Sequence, residues 1–352
     1  MSHLPPAPRI LAVMAAGAAL TMLAACGGGS GGSSAQGSGS PSPAASTASG
    51  SSTPAPKKAP TSPGLVAVTK DGALVILGSR HGQVIRTLVA GGVRGDEISV
   101  SPDRTTVYFS VRHGCLGQIE SIPVAGGSPT VIADGTVPAI SPDGTRLAYA
   151  TAPLETGACV PNASELTKGY TLVIRTLSTG TQAVYPQLPA GQDTGLPAPI
   201  SHLSWSPDGG TLAVSIASVQ DNEGWNLILL NLATARDYLT GAGDQSVPAG
   251  DPQGSYWREG VYMPSGNLFV SRACCSGFPV HNKSRLMWVV NPAGVMQHQV
   301  AIGFANLDHT SLSASGHGAW LLYLAGDILY VSHNGNKPHQ LTSGMIAAAW
   351  QR

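Results

Sequence analysis

Ser101-Pro102-Asp103-Arg104, Ser141-Pro142-Asp143-Gly144 and Ser206-Pro207-Asp208-Gly209 share one frame. Each follows an apolar stretch (EISV, VPAI, SHLSW) and precedes another (TTVYFS, TRLAYA, GTLAVS). Proline presets φ at the first central position of a turn, and Asp and Gly suit the tight reversal after it. Two strands joined by such a turn form a β-hairpin. Degraded copies stand at Met263-Pro264-Ser265-Gly266 and Ser315-Gly316-His317-Gly318, again ahead of apolar strands (NLFVS, AWLLYL). A third strand, a short turn and a fourth strand follow each hairpin. In the second unit these are GQIESIPVA, Gly126-Gly127 and SPTVIA. Helical periodicity is absent beyond the N-terminal apolar run. Four-stranded repeats of about 40–65 residues predict propeller blades.

Complete four-strand sets fall at about 96–133, 136–186, 199–240, 255–301 and 309–342. Two fragments remain. LVAVT, ALVILG and QVIRTLV make three strands with no inner strand before them, and Met345 to Trp350 makes one strand with no blade. Trp350 aligns with Trp205, just before the turn. The expected fold is therefore all-β: a six-bladed propeller over 65–352, closed by pairing of the C-terminal strand with the N-terminal blade.

The Ser-Pro-Asp-Gly frame resembles that of the TolB-type, WD-repeat-like β-propellers, which carry this turn between the first two strands of a blade. The resemblance covers residues 65–352 and implies a fold, not a function, because propellers serve as enzymes, scaffolds and binders. The Tol–Pal partner is not carried over: a tether stands here where the TolB propeller has a separate N-terminal domain.

Upstream, Arg9 precedes fourteen uncharged residues, Ile10 to Leu23, too few for the roughly 20 that cross a bilayer. A basic start, a short apolar run and small residues after it read as a signal peptide over 1–25. Leu23-Ala24-Ala25-Cys26 resembles the lipobox of bacterial lipoproteins, which implies cleavage before Cys26, diacylglycerol on its thiol and acyl chains such as palmitate on the new terminus. From Gly27 to Gly64 every residue except Gln36, Lys57 and Lys58 is Gly, Ser, Pro, Ala or Thr. Residues 26–64 are thus the lipidated cysteine and a disordered tether with a mean reach of roughly 35 Å. The expected place is the bacterial cell membrane, lipid-anchored on the extracytoplasmic side. G-x-S-x-G and G-x-G-x-x-G matches within the tether lack the strand and helix that give them meaning.

Composition narrows the function further. Of 352 residues only 11% are charged, against roughly 25% in an average domain, while 42% are apolar. With three cations and no acid before residue 65, the rest carries 16 basic and 19 acidic groups. That balance excludes a nucleic-acid binder, which needs a dense cationic face.

In the expected propeller the short turns occupy one face, and the long insertions (152–169, 187–198, 241–254 and 273–283) occupy the other. Long loops in a compact fold are usually functional or disordered. Cys115, Cys159, Cys274 and Cys275 all fall on the long-loop side, and export permits disulfides. Cys115–Cys159 joins neighbouring blades and Cys274–Cys275 is vicinal; the alternative leaves the vicinal pair reduced. Tyr256, Trp257 and Phe278 are the aromatic candidates for a binding face there, although core packing is the default for a strand tryptophan. Four residues before the turn serine the inner strands carry Glu97, Val137, His202, Glu259, Ser311 and Ala347; two residues before it they carry small side chains. Glu97, His202 and Glu259, with Asp308 and His309 nearby, are expected to rim the central channel. They read either as a metal or acid–base cluster or as groups that solvate a channel and pair with neighbours such as Arg258. The unsymmetrical set favours the second reading.

No cofactor, no metal and no catalytic residue is expected, and the chain is read as a monomer. The reading is a membrane-anchored binding or scaffold module for an envelope protein or ligand, acting through the long-loop face. The alternatives are a solute- or glycan-sensing module and a channel-sited enzyme of metal-dependent lactonase or cyclotransferase type.

Overall fold

The computed structural model describes residues 64–95, 97–113, 116–151, 170–186, 199–217, 225–238, 244–248, 256–273, 287–301 and 309–351. The expected signal peptide, Cys26, the tether, all four remaining cysteines, Asp308 and Phe278 lie outside these residues, as do the side chains of Tyr256 and His309. Every regular element described is a strand.

Six four-stranded antiparallel sheets account for all of them. The first blade holds β1 (Leu65–Thr69), β2 (Leu74–Leu77) and β3 (Val84–Val89); the second β4 (Ser99–Val100), β5 (Thr106–His113), β6 (Leu116–Pro123) and β7 (Thr130–Asp134). The third runs through β8 (Thr136–Ile140), β9 (Arg146–Thr151), β10 (Thr171–Thr176) and β11 (Gln182–Pro186). The fourth comprises β12 (Ile200–Trp205), β13 (Thr211–Ala217), β14 (Trp225–Asn231) and β15 (Asp244–Ser246). The fifth comprises β16 (Tyr256–Tyr262), β17 (Leu268–Ala273), β18 (Met287–Val290) and β19 (Met296–Val300). The sixth has β20 (His309–Ala314), β21 (Trp320–Ala325), β22 (Ile328–His333) and β23 (His339–Ser343). The last strand, β24 (Met345–Trp350), pairs with β1, setting Leu65 against Trp350 and Val68 against Ala347.

Alternation along each strand explains how so apolar a chain folds. In β1, Leu65 and Ala67 pack into a cluster shared with the sixth blade, while Val66 and Val68 pack into one shared with the second. Successive side chains leave a strand on opposite sides, so a blade packed on both sides needs apolar residues at every position. The same holds around the fold. Six buried clusters each draw on two successive blades, including one built from the sixth and the first.

The Ser-Pro-Asp turns are held by one repeated device. Ser101 Oγ donates to Asp103 Oδ1 (2.6 Å) and accepts the Thr106 N–H (2.9 Å). Ser206 Oγ likewise donates to Asp208 Oδ1 (2.6 Å) and accepts the Thr211 N–H (2.9 Å). Ser141 makes the same pair of bonds with Asp143 and Arg146. Positive φ at Gly144 and Gly209 (72° and 67°) completes the reversal, and Arg104 adopts it at 62°. A serine that bridges its own turn in this way is why the frame is legible in sequence.

These bonds favour the ionised aspartates. Asp143 is held down to about 2 and Asp103 and Asp208 are also lowered, first by the serine hydroxyl and then by a backbone N–H. A lowered folded value gives stability that is complete above the unfolded carboxylate range and is lost as pH falls through the folded value. The urea midpoint is therefore expected to fall between about pH 4 and pH 2 in part through these turns. Asp143→Asn should flatten that stretch of the profile; an unchanged slope would count against the device.

Candidate functional site

The inner strands of all six blades enclose a central cavity of about 470 Å³. One end is lined by Glu97, Ser201, His202, Arg258, Glu259 and Thr310. The other is lined by Pro102, Pro142, Pro207 and Pro264 of the short turns. Between them stand Trp205, Tyr262, Trp350, Ile140 and Leu312.

Glu97, His202 and Glu259, widely spaced in sequence, do meet. His202 is only 6% exposed, and its Nδ1 lies 3.5 Å from Glu97 Oε2 and 3.3 Å from Glu259 Oε1. An ionised carboxylate only accepts, so Nδ1 is the nitrogen that carries hydrogen toward both. Each carboxylate is also bonded to backbone. Leu203 N–H donates to Glu97 Oε2 (2.9 Å), and Ser311 and Leu312 N–H donate to the two Glu259 oxygens (3.0 and 2.6 Å). Glu97 thus reaches from the second blade to the fourth, and Glu259 from the fifth to the sixth. Ser311 Oγ carries the lacing to β24, accepting the Ala348 N–H (2.8 Å).

The backbone makes this possible through irregularities at one repeated place. The pairing register of β8, β12, β16 and β20 shifts at Thr136/Ala139, Ile200/His202, Trp257/Glu259 and Thr310/Ser313. Val137 and Ser311 there take positive φ (57° and 55°), uncommon for residues other than glycine. Such a bulge re-aims a side chain and frees backbone N–H groups from the ladder. At Ser311 two successive N–H groups converge on Glu259, as backbone nests do on anions.

A second set of contacts lies one step further along each strand. Ser99 Oγ accepts the Ile140 N–H (3.0 Å), Ser204 Oγ that of Tyr262 (2.9 Å) and Ser313 Oγ that of Trp350 (3.2 Å). Each serine ties its blade to the next. The equivalent positions Ala139, Val261 and Ala349 have no hydroxyl, so the bond recurs at every second blade. The signal was present in sequence as an alternation of serine and apolar residues.

Trp257 corrects an expectation. A candidate for the binding face, it is 1% exposed, donates from Nε1 to Pro248 O (2.9 Å) and lies under the Arg272 guanidinium at 5.5 Å. It belongs to the cluster between the fourth and fifth blades. The register shift after Trp257 turns its ring into that interface. Thr310 lines the cavity, and the side chains of its neighbours Asp308 and His309 lie outside the described residues. Among the described residues, no group of three His, Cys, Asp or Glu side chains has metal-holding geometry.

The fold is that of a six-bladed β-propeller. The chain is similar to TolB from Acinetobacter baumannii, with 13% identity and a TM-score of 0.52, over 82% of this chain and 66% of that one. It therefore spans just under two thirds of that protein. A chain from the crystal structure of a nidogen/laminin complex is also similar, with 11% identity and a TM-score of 0.54, over 83% of this chain and 99% of that one. No protein-family model matches the sequence, and no curated protein matches it.

Proposed function

We propose that the protein is a lipid-anchored binding module of the bacterial envelope rather than an enzyme. The signal run, Cys26 and the tether from Gly27 to Gly64 support the anchorage. The observation that carries the non-catalytic reading is the state of the channel acids. Glu97 and Glu259 accept backbone N–H groups from other blades and flank His202. General acid–base work needs a titratable group poised toward a substrate. Carboxylates that lace blades together serve the fold instead. Pairing of β24 with β1 acts in this reading as closure of the ring, which makes it a rigid platform.

A partner in the envelope engages the face to which the sequence assigns the long insertions, 152–169 and 187–198 among them. Cross-linking in cells followed by mass spectrometry tests this. Cys26→Ser should move the protein from the membrane to the soluble fraction. Replacing 152–169 with a Gly/Ser linker should reduce the cross-linked partner at least several-fold, whereas Ser128→Lys on a short turn should leave it unchanged. Loss with Ser128→Lys alone would assign the work to the opposite face.

A further inference from the structure

The Ser-Pro-Asp turn of the fourth blade departs from its counterparts at one residue. In the second blade Thr105 Oγ1 donates to the Asp103 carboxylate, 2.9 Å from each oxygen, and in the third the Thr145 hydroxyl also bonds Asp143. The fourth blade has Gly210 there, so the exposed Asp208 carboxylate lacks that hydroxyl. Its Oδ1 still accepts from Ser206 Oγ (2.6 Å) and the Gly210 N–H (3.0 Å), which fixes the group in place. Asp208 also lines a groove of about 670 Å³ on the short-turn face, between the fourth and fifth blades. That volume is within the 300–1,000 Å³ usual for small-molecule sites.

The groove forms where one sheet face changes character. On β13 and β14 this face carries Ala213, Leu227 and Leu229, buried against the fifth blade. Toward the short turn it carries Thr211 opposite Asn231, and Gln245 of β15 stands opposite Leu229. Asn231 Oδ1 accepts the Ala233 N–H (3.0 Å), so its Nδ2 hydrogens remain as donors. Pro264, Ser265 and Pro292 belong to the facing fifth blade and also line the groove. Tyr262 lines both this groove and the central cavity. Burial, and then the Asp208 charge, push its phenol up to about 12, which keeps it neutral at ordinary pH. Among the described residues, no lysine, arginine or histidine lines the groove.

We propose that this groove binds a neutral oligosaccharide, with Asp208 accepting from ring hydroxyls and the Asn231 and Gln245 amides completing the hydrogen bonds. A sugar hydroxyl both donates and accepts, which matches a wall that mixes a carboxylate, amides and hydroxyls. The C–H faces of the rings suit the prolines and Leu229. An anionic ligand would meet the Asp208 charge with no cation to offset it. A cationic peptide would use Asp208 and leave the amides and hydroxyls idle. This goes beyond capture of an envelope partner and is independent of it: the long insertions take no part, and either reading can fail alone.

Calorimetric titration of the full chain with maltotriose, cellotriose and triacetylchitotriose tests it. At least one should bind saturably and one-to-one, with an affinity insensitive to salt. Gly210→Thr restores the hydroxyl that the other turns carry. A Cβ at 210 would have the Asp208 carboxylate as its nearest neighbour, at an ordinary 3.5–3.7 Å, so the turn should accept it. The variant should melt at the unmodified midpoint and bind the sugar roughly 10-fold more weakly, as loss of a hydrogen bond to a charged group allows. Gln245→Ala, at an exposed position, should weaken binding several-fold and serves as the test if Gly210→Thr does not fold. Failure of all three sugars to saturate would overturn the site. So would an affinity unchanged in folded Gly210→Thr, or in Gln245→Ala where that variant stands in for it. Salt-sensitive binding of trilysine in place of the sugars would reassign the groove to a cationic peptide and overturn the proposal.

Discussion

A chain ending at Ser343 is expected to lose cooperative unfolding. The deletion removes the whole of β24, the inner strand of the first blade. Strand β1, hydrogen-bonded to β24 from Leu65 to Thr69, would become an unpaired edge. Met345, Ala348 and Trp350 would leave the cluster between the sixth and first blades, and Ala347 the one between the first and second. The Ser311 and Ser313 hydroxyls would each lose a backbone donor. Loss of a large buried aromatic alone costs about 3–5 kcal/mol, and a domain's whole stability is about 5–15 kcal/mol. Removing one strand from two packed interfaces therefore exceeds what the remainder can absorb. Near-ultraviolet circular dichroism through a urea series should show no sigmoidal transition. A truncated protein that melts at the full-length midpoint would refute closure by β24.

What was readable in the sequence follows the reach of each interaction. The blades were legible because the Ser-Pro-Asp turn is local: Ser101, Asp103 and Thr106 bond within five residues. The number of blades and the pairing of Met345–Trp350 with the first sheet followed from counting strands, since a leftover strand and a three-stranded blade each lack what the other has. The meeting of Glu97, His202 and Glu259 was half legible. Their common place in the repeat put them at one level of the ring. Their direct contact depends on bulges at Ile200/His202 and Trp257/Glu259, which no residue type announces. The burial of Trp257 escapes the sequence pattern for the same reason. Strict alternation does not hold across a register shift, so a residue beside one cannot be assigned to a side from its parity.

Glu259→Ala is the single substitution expected to weaken the fold most through the channel. Glu259 is buried, and its two oxygens accept the Ser311 and Leu312 N–H groups while Oε1 also faces His202 at 3.3 Å. Alanine would leave those donors unmet and Ser311 at positive φ without the contact that holds it there. Leaving a buried donor without its acceptor costs about 1–3 kcal/mol, and two are left here, a fall in melting temperature on the order of 10 °C for a domain of this size. Glu259→Gln keeps one acceptor oxygen but turns an amide toward an N–H donor, so its effect should be intermediate. Glu97→Ala should cost less, because among the described contacts Glu97 accepts one backbone N–H, that of Leu203, where Glu259 accepts two. That ranking separates a structural pin from a catalytic acid. A catalytic carboxylate is held at some cost to stability, and its neutral replacement commonly stabilises the fold. Melting temperatures that rise on Glu259→Gln would move these acids from the framework to the chemistry, and would overturn the proposed non-catalytic reading.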